Sequence, residues 1–538
     1  MKKRIQPLSP DAPLQLEGHG RPLTRRDFIA RGLLKGAALI GAPTVFSLFA
    51  APRAAYGALS GDIATLRDAC GIRVAGAGKI PFICFDLAGG ANIAGSNVLV
   101  GGQGGQFDFL PTAGYAKLGL PGNMIPGLAE ATPAAGGNGD HTDSRLGLGF
   151  HTDSSFLRGI VERAATGTLN GVNGAIIPAR SENDTGNNPH NPLYGIFRAG
   201  ADGELLSLIG SVNSESGGNS TYPMSLFNAS ARPVKIDRPS DVTGLVDTGK
   251  LVGLLSQQDA VAVMESIVRI SDRKLGNVST AVTADAVIKD LVRCGYVKSA
   301  DLADRFGNPT ALNPLIDTNI VGGGGGLTPI FTAAEIAADG EFAKTASVMK
   351  LVVNGYAGAG CITMGGFDYH TGDRSTGEAR DLRAGRCIGA CLEYAARVGV
   401  PLMIYVFSDG GVFSNGMLDT TVAGRGKGVW TGDDQQTAAT FFLVYNPGGR
   451  AQLLGGTPLE QARHQQLGWF RSSGDVETSA TPAANNVNLL VETIALNYMA
   501  LHNEQGLFAS RFPGSGLGSA AMIDRLTAFA PVCNGTIA

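Results

Sequence analysis

Two short apolar segments separated by one long helix constrain this chain more than any other feature. Gly360-Cys-Ile-Thr-Met-Gly365 and Pro401-Leu-Met-Ile-Tyr-Val-Phe407 are brief, uncharged and bounded by turn residues, as strands buried on both faces are. Between them, residues 376–398 have helical spacing, with Leu382, Ile388, Leu392 and Ala395 on one side. Strand, helix, strand in that order predicts a parallel β-α-β unit with a right-handed crossover. Ile80-Pro-Phe-Ile-Cys-Phe85, Val172-Asn-Gly-Ala-Ile-Ile-Pro178 and Thr440-Phe-Phe-Leu-Val-Tyr445 supply further strands. Helical patterns at 154–165 (Ser154 or Asp153 as N-cap), 342–356 and 487–502 can cover the sheet. The expected class is α/β, a mostly parallel sheet sandwiched by helices, with the strands ending at Phe85, Met364 and Phe407 as neighbours or near neighbours. Residues from about 195 to 335 alternate loops with helical stretches at 256–270 and 284–293, and read as an insertion or cap.

The amino terminus obeys a different logic. Arg25 and Arg26 stand in Leu23-Thr-Arg-Arg-Asp-Phe-Ile29, ahead of an apolar run at 33–51 whose only charge is Lys35. Small residues follow at Ala54-Ala-Tyr-Gly-Ala58. This is the layout of an export signal of the twin-arginine type, which implies the twin-arginine export machinery as partner and a periplasmic or exported protein. Gly36, Gly41 and Pro43 interrupt the apolar run, which favours a removable signal over a membrane anchor. Residues 1–58 therefore stand apart from the fold, and 59–538 form the expected α/β domain.

Composition narrows the function. A net charge of −3 gives no footing for nucleic acid or an anionic membrane surface. The seven cysteines contain no Cys-x-x-Cys pair, so neither a zinc ribbon nor a disulfide scaffold is implied; one long-range bridge, such as Cys70 to Cys533, stays open in an exported chain. The glycine run at 322–326 lacks a following Gly-Lys-Ser/Thr and is not a phosphate loop.

Three of the strands run into an acidic residue: Phe85-Asp86, Gly366-Phe367-Asp368 and Phe407-Ser408-Asp409. In a parallel sheet these ends share one edge, where open α/β folds bind ligands. A single Asp after a strand is usually a turn former or cap. Three of them, with His370 two residues past Asp368, make a set whose mutual repulsion a cation would offset. Carboxylates with an imidazole are ligands for zinc, magnesium, calcium or manganese.

Gly365-Gly-Phe-Asp-Tyr-His370, a long helix, and then Tyr405-Val-Phe-Ser-Asp-Gly-Gly411 together resemble the core pattern of the bacterial family called domain of unknown function 1501. Members of that family carry twin-arginine signals and resemble the alkaline phosphatase and sulfatase superfamily in fold. The resemblance extends to Asp86-Leu-Ala-Gly-Gly-Ala-Asn92 and Gly149-Phe-His151 and is strongest over 340–450. It implies an alkaline phosphatase-like core with a divalent metal held by Asp86, Asp368, His370 and Asp409. It also implies a hydroxyl or thiol nucleophile at a strand-to-helix turn, for which Thr185 is the candidate and Ser181 and Ser96 the alternatives, with His190 orienting substrate.

Two departures from the pattern matter. Asp409 is followed by Gly410 where the superfamily commonly has His, and Gly432-Asp-Asp-Gln435 stands where the family often has Gly-Thr-Asp-His. Asp433 or Asp434 would then substitute as an oxygen ligand, shifting the site from zinc toward harder cations. The implied function is a metal-dependent hydrolase of phosphate or sulfate esters. The alternative is a non-catalytic envelope assembly or surface-binding protein on the same scaffold.

Overall fold

A computed structural model describes residues 59–72, 77–181, 187–246, 255–306, 309–323 and 326–537. The arginine pair and the apolar run at 33–51 lie outside the described residues. The chain divides into two compact units, a smaller one from Met1–Ile72 and Thr248–Asn308 and a larger one from Arg73–Asp247 and Pro309–Ala538.

The larger unit holds eleven described strands: β1 Phe82–Leu87, β2 Thr142–Leu146, β3 Leu148–His151, β4 Val172–Pro178, β5 Leu206–Gly210, β6 Val234–Lys235, β7 Ala357–Met364, β8 Leu402–Ser408, β9 Val412–Leu418, β10 Gly428–Asp433 and β11 Ala439–Tyr445. Seven form one sheet in the order β4-β11-β8-β1-β7-β5-β6. β8, β1, β7, β5 and β6 are parallel, while β11 runs antiparallel to both β8 and β4. The chain is thus α/β with a mostly parallel sheet. β1 lies between β7 and β8, with Phe85 beside Ile362 and Val406, and Asp86 beside Thr363 and Phe407.

Every residue of β1, β4, β7, β8 and β11 is buried, because helices cover both faces and no side of these strands meets water. On one face Phe82, Cys84, Cys361, Tyr405, Phe407 and Phe442 share a core with Leu193, Ile196, Leu490 and Tyr498. The last four belong to the helices Leu193–Arg198 and Val487–Leu501. On the other face Phe441 meets Phe150 and Phe156. There the helices Ser155–Arg163 and Ser375–Val398 cross on glycine: a Cβ on Gly159 would lie 2.3 Å from Leu382 O, and one on Gly385 2.2 Å from Phe156 O. Local signals set the helix starts. Ser154 accepts from Leu157 N–H, Asp339 from Glu341 N–H, and Asn486 from Leu489 N–H, each satisfying a first-turn donor that has no acceptor within its helix.

The smaller unit packs helices Gly61–Ala69, Gln257–Gly276 and Asp285–Phe306 around Ile63, Val261, Val268, Val297 and Ala300. Cys70 is bridged to Cys294, with Cα atoms 5.5 Å apart. Sequence had offered Cys533 as an example partner. Cys533 keeps a free thiol, which donates to Leu501 O. Within 195–335, β5 and β6 are strands of the main sheet, whereas the two long helices are in the smaller unit.

Candidate metal centre

The C-terminal ends of β1, β7 and β8 share an edge because the three strands are parallel neighbours, and the loop that leaves β7 carries two of the site's three residues. After β7 the chain alternates in and out: Phe367 and Tyr369 are buried, while the Asp368 and His370 side chains are 64% and 30% exposed. Tyr369 pins the loop, donating its hydroxyl to Asp381 Oδ1 (3.0 Å) and accepting from Asn92 N–H (2.6 Å). Its buried neighbours are what turn Asp368 and His370 outward together.

β10 reaches the same point. Gly372 N–H donates to Trp430 O, so the loop is stitched to β10, whose last residue is Asp433. Trp430 is fully buried beneath the Arg374 guanidinium, 4.5 Å from its ring centroid. Arg374 pairs with Glu378 at 2.7 Å, and Glu378 with the completely buried Lys427 at 3.0 Å. Arg374 and Lys427, held on one carboxylate, anchor the segment that carries the ligands.

His370 Nδ1 lies 2.6 Å from Asp368 Oδ1 and 2.9 Å from Asp433 Oδ1. Neither oxygen sits in hydrogen-bond geometry to that nitrogen, which is buried and has no hydrogen-bond partner among the described residues. One ligand atom from each residue falls within 4.8 Å of the others, the span of atoms sharing one coordination sphere at about 2.0–2.6 Å from an ion. Burial raises the Asp433 pKa, the carboxylates of Asp368 and Asp409 add to the rise, and His370 opposes it. The residues fit a divalent cation: two oxygens and one imidazole nitrogen with a solvent-facing side.

Asp86 and Asp409, expected as ligands, are not among the three residues that converge. Asp86, on the same face as Phe82 and Cys84, turns into the core, where it accepts from Asn219 N–H (2.8 Å), Ser220 N–H (2.9 Å), Ser220 Oγ (2.8 Å) and Thr363 Oγ1 (3.3 Å). Burial pushes its pKa up to about 6; the Ser220 bonds oppose the rise and the Asp409 charge adds to it. Asp409 Oδ1 accepts from Gly89 N–H at 2.7 Å. Gly89 has φ +125°, and a Cβ there would lie 2.4 Å from Asp368 N, so the loops after β1 and β7 touch through a residue that must be glycine.

Of the hydroxyl candidates, Thr185 lies outside the described residues. Ser181 is buried; its Oγ lies 2.6 Å from His190 Nε2 and accepts from Asn188 Nδ2. His190 stacks on Phe407, and burial pushes its pKa down to about 3, so it is neutral. Ser96 is engaged elsewhere, accepting from Arg374 Nη2. Between the two aspartates proposed as substitutes, Asp433 faces His370, and Asp434 pairs with Lys117 at 2.6 Å. Sequence reasoning did not single out Asn188, Tyr369, Arg374 or Lys427. The only signal for Asn188 was the paired amides Asn187-Asn188 in a loop leaving a strand.

No protein-family model matches this chain, and no curated protein or solved structure matches it.

Proposed function

We propose that the chain is an exported, divalent-cation-dependent hydrolase of phosphate or sulfate esters. The observation that carries this reading is the convergence of Asp368, His370 and Asp433 at the sheet edge with one side open to solvent. Asp368, His370 and Asp433 are the residues that would hold the ion. A bound divalent cation there supplies Lewis acidity toward an ester oxygen. Ser181, hydrogen-bonded to the neutral His190, is one hydroxyl candidate for the nucleophile, and Thr185 remains the other. Export rests on the Arg25–Arg26 motif, and Arg25→Lys/Arg26→Lys should leave the precursor in the cytoplasm.

The test uses protein stripped with chelator and reloaded with manganese, magnesium, calcium or zinc. Hydrolysis of p-nitrophenyl phosphate or sulfate should appear with at least one ion and vanish in Asp368→Asn. A second reading, a non-catalytic cation site on the same scaffold, is favoured by one observation: Asp86 spends its oxygens on Asn219, Ser220 and Thr363. Tight ion binding without turnover of either ester would support it over the first.

A further inference from the structure

A second feature lies beside the candidate centre and has no part in holding the ion. A pocket of about 270 Å³ opens where the chain leaves β4 and where the helix Val487–Leu501 begins. Five asparagines line it (Asn187, Asn188, Asn485, Asn486 and Asn488) together with Arg180; no carboxylate or aromatic ring does so among the described residues.

We infer that this pocket binds the alcohol portion of the substrate, and that this portion is a hydroxyl-rich, uncharged group of sugar or polyol type. The inference rests on the hydrolase reading for the ester itself. Position supports it. Asn188 Nδ2 donates to Asp409 O at 2.9 Å, and Asp409 in turn receives Gly89 N–H, whose residue packs on Asp368. On the other wall Arg180 Nε donates to Gln435 Oε1 at 3.0 Å, two residues past Asp433. These contacts link the pocket to both segments that carry the ligands.

Chemistry selects the ligand class. An asparagine amide offers two donors and an acceptor, and a hydroxyl both donates and accepts, so a wall of amides matches a set of alcohols. The first-turn N–H groups of Val487 and Asn488 have no acceptor within their helix and add donors. Taken alone, the donors and Arg180 would suit a free anion. Arg180 decides against that. Its Nε and Nη2 donate to Gln435 Oε1 and its Nη1 donates to Asn485 Oδ1 at 3.2 Å, so the guanidinium is committed to amides and the rest of the wall offers uncharged donors and acceptors. The volume falls just below the usual range of ligand pockets (~300–1,000 Å³), enough for one ring and not for a chain of them.

The experiment compares four probes on manganese-loaded protein by calorimetry: glucose 6-phosphate, glucose 6-sulfate, phenyl phosphate and inorganic phosphate. Methyl glucoside is followed separately by saturation-transfer NMR. A glucose ester should bind at least tenfold more tightly than phenyl phosphate. In Asn485→Ala/Asn488→Ala that preference and the methyl glucoside signal should disappear, while manganese and inorganic phosphate bind as before. Equal binding of glucose and phenyl esters, with phosphate still bound, overturns the pocket assignment and leaves the hydrolase reading standing. Methyl glucoside binding that depends on Asn485 and Asn488, without affinity for any phosphate or sulfate, keeps the sugar pocket and removes the hydrolase reading. Failure of every probe overturns both.

Discussion

His370 Nδ1 lies 2.9 Å from Asp433 Oδ1, a contact that joins the loop after β7 to the end of β10. Neither element predicts the other's position, yet their meeting turns a local Asp-x-His motif into a three-ligand group.

Manganese, calcium, magnesium or zinc should raise the stability of the folded protein, by about 2.7 kcal/mol when the free ion stands a hundredfold above its dissociation constant. Asp433→Asn should lower ion affinity at least tenfold, and Asp434→Asn should not, because Asp434 is committed to Lys117. Thermal denaturation with and without each ion reads both. Equal ion-induced shifts in the two variants would count against the assignment.

Gly89→Ala should damage the centre without touching a ligand. Its Cβ would sit 2.4 Å from the Asp368 backbone nitrogen, at a φ that side chains rarely adopt, so the loops must separate. We expect a loss of about 2 kcal/mol or more, given the clash and the unfavourable φ together. Ion affinity should fall with it. Calorimetric ion titration of folded variant protein separates the two effects.

Lys427→Met should be strongly destabilising, by about 3–5 kcal/mol, since it leaves the buried Glu378 with only Arg374 for charge compensation. Urea denaturation measures the loss. A cost below 1 kcal/mol would mean that the Arg374–Glu378 pair alone holds the ligand-bearing segment.

The pH dependence isolates His190. Its pKa falls from 6.5 to about 3 on folding, so between those values the unfolded chain binds a proton that the folded chain does not. The contribution of neutral His190 is fully present above pH 6.5 and is lost as pH falls toward 3. The stability difference between wild type and His190→Gln should therefore shrink by up to about 1.4 kcal/mol per pH unit on acidification through that window, and stay level above pH 7. A difference that ignores pH from 4 to 7 would show that folding leaves the His190 pKa unshifted.

Much of the frame was legible in the chain alone. β7, β8 and the part of β1 up to Phe85 announced themselves as short uncharged runs because both of their faces are covered, and the helix Ser375–Val398 as an apolar stripe because only one side is. Ser154 was a readable cap, since a hydroxyl there satisfies a helix donor within its own turn. Asp368 and His370 were readable together for the same reason: two residues of one extended segment point the same way.

What tertiary structure alone decided are the pairings between distant segments. Whether Asp433 or Asp434 faced His370 depended on the register with which β10 is stitched to the loop through Trp430 and Gly372. Asp86 turned into the core because it shares a strand face with Phe82 and Cys84, and the Asn219–Ser220 segment happens to meet it there. Cys70 found Cys294 because both lie within the small helical unit. Periodicity reports which side of an element is buried; it carries no information about what is buried against it, and a binding site is made of those cross-chain contacts.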